Sequence, residues 1–323
     1  ARTERPPDLS PAVRQEQQYQ AWAALVHRRM HVDPGRTLGL VRAAPWAEGE
    51  WLQGDLLVPL PADDGQPLDG LIERARAHGC AYMVLANDPA ASPEHQRRFV
   101  SALRRVRAKF PDFALLAGLP WTSAEGRGAG LALVILRPGD EEAMLAAPQP
   151  RRRDAGAPLV LGPRPEDVFF RFVGFQERLR AGATGDHWDA AVARVGGTWD
   201  QLLDRGFLLW GATAGSGLRD VGVRVAPGEY ARTHVCCPGR RAEDVLAGLR
   251  AGCFWAEEGG FVRELAMELF APYLNRAARL GEVVVVAPGA EVSLDLALEV
   301  PSQDASGRPV RGLDVVELIS NFD

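Results

Sequence analysis

Lysine is almost missing from this chain of 323 residues. Lys109 is the only one, and arginine supplies the rest of the side-chain positive charge. That bias reads as genomic base composition rather than mechanism. The formal net charge is -5, so the sequence lacks the basic excess that a nucleic-acid partner calls for. No apolar run approaches the roughly 18 to 20 residues of a membrane span, and signal-peptide architecture is absent. The chain starts at Ala1 without Met, so either a leader has been removed or the chain is a trimmed one. That leaves the compartment open between export and the cytoplasm. Cysteine is scarce too: Cys80, Cys236, Cys237 and Cys253 form no C-x-x-C pair, which removes support for zinc-ribbon and thioredoxin-type chemistry. Adjacent Cys236 and Cys237 would point to opposite faces of a strand, so at most one can sit in a core. Free buried thiols are the expectation. A disulfide from either of the two to Cys253 is the alternative in an oxidising compartment.

What is present is ordinary for a globular protein: 46% hydrophobic and 24% charged residues, enough for one large α/β domain with an appendage, or for two domains. Residues 1–15 are polar and proline-punctuated, an arm. Over 13–30, Tyr19, Trp22, Ala23 and Val26 recur at helical spacing. His27 and His31 are four apart there, but without an acidic partner they read as a solvated face. An apolar run at 56–60 ends in Pro61 and an Asp63-Asp64-Gly65 turn, a strand entering a loop. A helix over 68–78 stops at Gly79, and 81–86 (A-Y-M-V-L-A) reads as a buried strand. Strand, helix and strand in this order form a βαβ unit of a parallel sheet. Ser92-Pro93-Glu94 opens a second helix over 92–110.

Strands follow at 113–117 and 131–136. The glycines of 126–130 lack a following Lys-Ser/Thr and precede a strand, so they read as a hairpin connection rather than a phosphate loop. Residues 148–158 read as a surface linker and 159–161 as a short strand. From Glu166 a helix is expected, carrying Phe169, Phe170, Phe172 and Phe175 as core. The last third shows strands at 282–286, 292–300 and 315–320.

The run W-L-Q-G-D-L-L-V-P-L from Trp51, followed by D-D-G, resembles the first strand of the PHP (polymerase and histidinol phosphatase) superfamily, in its CehA/McbA-like metallohydrolase branch. The pattern there is W-x-x-G-D-L-H-x-H-T, then S-D-G. Gly54, Asp55, Leu56, Val58, Asp64 and Gly65 fit it, and further on 233–236 resembles the family's short T-x-V strand, 242–250 its A-L-x-x-G helix and 252–260 the loop after that helix. The resemblance implies a distorted PHP-type (β/α) barrel over 51–260. An N-terminal arm and helix (1–50) would precede it, and a small C-terminal β-rich segment (261–323) would follow. It also shows what the chain lacks. Leu57 and Pro59 stand where the family keeps two metal-binding histidines. Ala86, Asn87 and Asp88 replace T-D-H, Pro120 replaces a metal-bridging Glu, and Arg164 replaces the His of His-Pro. Residues 212–217, ending in Gly217, replace a final Asp-x-His. None of the six histidines falls at a motif position.

A site that loses nearly all its ligands at the ends of different strands is released from metal binding as a unit. The expectation is therefore an α/β protein that is catalytically inactive and serves as a binding or structural subunit, with no catalytic residue, no metal and no cofactor. Ligand-binding candidates are Asp64, Asp88, Arg164 and Glu177, grouped at the barrel mouth. The guanidinium of Arg164 can take a carboxylate or phosphate bidentately without metal. The partners this implies are another protein or a second copy of the chain, and a small anionic ligand; nucleic acid and a membrane span are not expected. Two alternatives stand: an active hydrolase of phosphoesters or amides with an altered metal set, and a metal-free small-molecule binder. The four charges would serve equally as solvated loop charges or as an internal ion-pair network.

Overall fold

The structure, a computed structural model, describes residues 39–41, 49–60, 68–87, 92–122, 131–141, 170–173, 190–192, 199, 210–213, 226–272, 275–286, 289–304, 307–310, 312–313 and 315–316. The expected arm and helix of 1–30, the linker at 148–158 and the strand at 159–161 fall outside these residues.

A short β1 (Gly39–Val41) precedes the main sequence of elements: β2 (Glu50–Pro59), α1 (Leu68–Ala77), β3 (Tyr82–Ala86), α2 (Pro93–Lys109), β4 (Ala114–Thr122) and β5 (Leu131–Leu136). Then come β6 (Phe170–Val173), β7 (Ala190–Val192), β8 (Trp210–Ala212), β9 (Ala231–Cys237), α3 (Ala242–Arg250) and β10 (Phe254–Glu258). These strands form one 9-stranded sheet in the order β10-β9-β2-β3-β4-β5-β6-β7-β8. Every strand in it except β5 and β9 runs the same way. The fold is thus mixed α/β, and the expected βαβ unit is β2-α1-β3, whose strands pair in parallel.

The two helices of the crossovers form where the sequence places them. Ser92 caps α2, its Oγ accepting from the His95 N–H at 3.2 Å, with Pro93 at the first position. The chain leaves α1 through Gly79 at φ 78°. Both helices lay apolar stripes on one face of the sheet. Leu71, Ile72 and Ala75 of α1 and Phe99, Val100, Leu103 and Val106 of α2 pack with Met83, Leu85, Leu115 and Ala117 of the strands. The alternate strand residues Tyr82, Val84, Ala86, Ala114 and Leu116 turn to the opposite face. With both faces covered, the strands carry unbroken apolar runs rather than alternation.

The opposite face is filled from within. Ala242, Val245, Leu246 and Leu249 of α3 belong to one core with Leu52, Val84, Leu116, Leu133, Ala212, Val235 and Phe254, which come from seven strands of the sheet. The helix touches β9, β4 and β6, strands well apart in the sheet order, and the edge strand β10 lies against the other edge strand, β8. The sheet therefore curls around α3 until its edges meet. Burying Val245, Leu246 and Leu249 contributes about 1.5–3 kcal/mol each. The helix enters beside the start of β2, where Arg240 pairs with Glu50.

A second, 3-stranded sheet follows, β12 (Arg276–Arg279)-β11 (Glu264–Ala271)-β14 (Ser293–Glu299), while β13 (Val283–Val285) pairs with β1. Among the described residues, no helix is long and apolar enough to cross a membrane.

Three sequence expectations are corrected. Phe170 and Phe172 lie in strand β6 rather than in a helix; their alternation is the strand period. Residues 254–258 form β10 rather than a loop. Pro120 sits inside β4, which runs on through Gly118 to Thr122 and pairs antiparallel with β5. Thr122 of β4 pairs with Leu131 of β5, while the expected hairpin connection at 126–130 lies outside the described residues.

Candidate functional site

Parallel strands present their C-terminal ends at one edge of the sheet, where such folds carry function. The first of these ends belongs to β2, and it is irregular. The register between β2 and β3 shifts between Asp55 and Val58. Leu56 and Leu57 both join the inner core, and Val58 joins the outer one. One residue is thus inserted, a bulge of the kind that re-aims side chains next to functional sites.

Asp55 holds that bulge. It is fully buried; its Oδ1 accepts from the Leu57 N–H at 3.0 Å, and its Oδ2 accepts from the Gly228 N–H at 3.1 Å. The carboxylate ties the strand to the loop that leads into β9. Its neighbour Gly54 has an equally local reason. The Tyr82 ring crosses over it so that the hydroxyl donates to the Thr233 carbonyl at 2.7 Å. A Cβ at position 54 would come within 2.4 Å of the Tyr82 carbonyl oxygen and 2.5 Å of its ring. Burial pushes the Tyr82 phenol well above its ordinary range, so it stays a neutral donor. Packing accounts for Gly54 of the motif, and backbone N–H donors are among the partners that hold its Asp55.

Leu57, in a slot where the resemblance would place a histidine, is 4% exposed and packed in the inner core. Asn87 ends β3. Its backbone N–H donates to the Gly118 carbonyl at 2.9 Å. Its side chain is 1% exposed, and among the described residues neither Oδ1 nor Nδ2 has a hydrogen-bond partner. Such a group costs about 1–3 kcal/mol. At the ends of β8 and β10, Thr213 donates from Oγ1 to Glu258 Oε1 at 3.2 Å, joining the two edges of the sheet.

A second buried polar cluster lies on the other face of β9 and β10. His234 stacks on Trp255 with ring centroids 3.8 Å apart and planes 3° apart. Its Nε2 lies 3.3 Å from Glu257 Oε1, the same oxygen that Arg232 reaches at 3.3 Å. His234 is a partnered core histidine, in line with the reading of the sequence.

The candidates Asp64, Asp88, Arg164 and Glu177 all fall outside the described residues, as does Gly217. Sequence reasoning named Asn87 as a replaced ligand without choosing it as a site residue. The available signal was a lone carboxamide directly after an unbroken apolar strand.

Do the residues present fit a divalent metal? Leu57 offers no donor atom. Pro59 and Pro120 have no side-chain donor either, and Asn87 offers one neutral amide oxygen. Divalent cations of hydrolases take imidazole nitrogens and carboxylate oxygens. The described motif positions do not fit, Asp88, Arg164 and Gly217 lie outside the described residues, and no group of three or more His, Cys, Asp or Glu able to hold a metal occurs among the described residues.

No protein-family model matches the chain, and no curated protein does. Among solved structures it is similar to a two-domain protein of Bacteroides vulgatus, described as containing a predicted PHP-like metal-dependent phosphoesterase. The identity is 12%, the match covers 79% of this chain and 89% of that one, and the TM-score is 0.43. A likeness at that level carries neither fold nor function.

Proposed function

We propose that the chain is a PHP-like protein whose curled sheet is a distorted (β/α) barrel, and that its mouth binds a ligand or a partner instead of carrying out metal-dependent hydrolysis. The meeting of β8 with β10 and the outer placement of α1 and α2 support the barrel. One observation carries the binding role: Asn87, a buried carboxamide with both polar atoms unmatched among the described residues, stands at the C-terminal end of a central parallel strand. A carboxamide offers one acceptor and two donors, which suits a carboxylate, an amide or a phosphate oxygen. Asp64, Asp88, Arg164 and Glu177 enter this proposal as the charged rim of the same mouth. Arg164 would take the anionic end of the ligand, or of a side chain on a partner protein or a second copy.

Two measurements test this. In the free protein, Asn87→Leu should leave the melting temperature unchanged or raise it, because an unmatched buried amide is being removed. A fall of several degrees would mean that Asn87 is structural, and the reading fails. Elemental analysis of protein purified without chelator should find no stoichiometric zinc, manganese or iron. Two or more tightly bound equivalents would instead favour an active hydrolase with an altered metal set.

A further inference from the structure

Cys236 and Cys253 face each other across two antiparallel strands, one at the end of β9 and the other just before β10. The Cys236 N–H donates to the Cys253 carbonyl at 2.8 Å, one step beyond the Val235–Phe254 pair of the ladder. Residues opposed in this way have Cα atoms about 5.5 Å apart, within the roughly 4.4–6.8 Å that a disulfide spans. With Ala251 the two side chains form a small core of their own, separate from the two large ones.

The neighbouring thiols are placed otherwise. Cys237 turns into the inner core, where its Sγ lies 3.2 Å from the Gly239 carbonyl. Cys80 packs under the outer helices, 3.9 Å from the Pro227 carbonyl. We infer that Cys236 and Cys253 are a site of oxidative modification, closing a disulfide that staples the segment carrying α3. Cys237 takes no part, which resolves the choice that adjacent cysteines leave open in the sequence.

The reaction needs an oxidant, and a small aliphatic disulfide supplies it. One protein thiol loses its proton to solvent and attacks a sulfur of the small disulfide, releasing one small thiol and leaving a mixed disulfide. The second protein thiolate then attacks the protein sulfur of that bond, releasing the other small thiol. Two protein thiols are oxidised, and one disulfide is reduced to two thiols. Burial holds the Cys253 thiol up to about 12 and raises that of Cys236, so closure is slow and speeds up with pH.

The bond has a structural side effect. Cys253 now donates from Sγ to the Leu280 carbonyl at 3.2 Å. Next to it, Gly281 (φ 80°) packs so closely that a Cβ would lie 2.7 Å from the Cys253 nitrogen. Closing the disulfide takes the thiol proton away from Leu280. It tightens the α3 segment while releasing one tie to the turn between β12 and β13.

The test incubates the full chain with millimolar oxidised glutathione at pH 8, then digests it without reduction. Mass spectrometry should find the peptides bearing Cys236 and Cys253 joined. Cys236→Ser and Cys253→Ser should each abolish the link, and Cys237→Ser should leave it. The linked protein should melt roughly 5–10 °C higher, because the closed loop loses entropy when unfolded. A link through Cys237 or Cys80 would overturn the inference. So would a glutathione adduct that never resolves internally, or unmodified native protein whose denatured control does oxidise.

Discussion

Replacing Asp55 by alanine removes at least two hydrogen bonds from a fully buried position. Its oxygens accept from the N–H groups of Leu57 and Gly228 at 3.0 and 3.1 Å, and the residue is fully buried. Each donor left behind costs about 1–3 kcal/mol, and the strand also loses the anchor of its bulge. The sum is about 3–5 kcal/mol, a large part of the roughly 5–15 kcal/mol available to a folded domain. In a chain of this size that corresponds to a fall of roughly 10 °C in melting temperature. Asp55→Asn should recover only part of it, because one carboxamide oxygen can serve one donor while the amide NH2 faces the other. Thermal unfolding followed by near-ultraviolet circular dichroism measures both variants. An Asp55→Ala protein that melts within about a degree of the parent would refute the account of the bulge, and with it the structural explanation of the Gly-Asp motif.

Gly54→Ala should destabilise by about 1–3 kcal/mol, since the new Cβ meets the Tyr82 backbone and ring at 2.4–2.5 Å; chemical denaturation gives the number, and a neutral result would remove the Tyr82 crossing. The cap of α3 makes a pH prediction. Asp244 accepts from the Arg241 N–H and side chain, and the Arg241 hydrogen bond holds its carboxyl below the ordinary range. A lowered folded value means the stabilisation is complete above the unfolded value of about 4 and fades as pH falls through the folded one. The stability gap between the parent and Asp244→Asn should therefore be constant near neutrality and close in acid. Denaturation midpoints across that range would show it, and a gap that widens on acidification would contradict it.

How much of this is readable from the chain depends on how local the cause is. Ser92-Pro93-Glu94 and Gly79 act within one turn of backbone, and both ends formed as the sequence implies. The strand at 82–86 is equally plain, because an apolar run flanked by turn residues needs no distant partner to be recognised. Phe170 and Phe172 misled because they sit among Phe169 and Phe175, which blurs a period of two into something nearer a helix. The resemblance places 254–258 in a loop; their strand character comes from pairing with β9, a tertiary fact. β11 was missed because E-L-A-M-E-L-F-A is built of helix-favouring residues, and its pairing with β14 outweighs propensity.

The site divides in the same way. The lack of metal ligands at Leu57, Pro59 and Pro120 is visible in the letters alone. That Asn87 is buried without partners among the described residues is not, because burial depends on the strands around it. Nor does an amphipathic α3 reveal that its apolar stripe faces inward, since a helix on the outside of the sheet would carry the same stripe.

That inward helix fixes an order of events. The strands that curl around α3 mostly precede it in the chain, whereas β10, which meets β8, follows it. Among the described residues, Leu52, Val84, Leu116 and Leu133 share the inner core with Val245, Leu246 and Leu249, which arrive only with α3. A growing chain that has emerged only as far as β9 therefore lacks the helix that belongs to this core, and the contact of β10 with β8 waits for the last quarter of the sequence. The same sequence of steps governs opening: β8 and β10 cannot part without exposing the helix to water. Their amide protons should thus exchange with solvent in step with those of α3, as one cooperative unit.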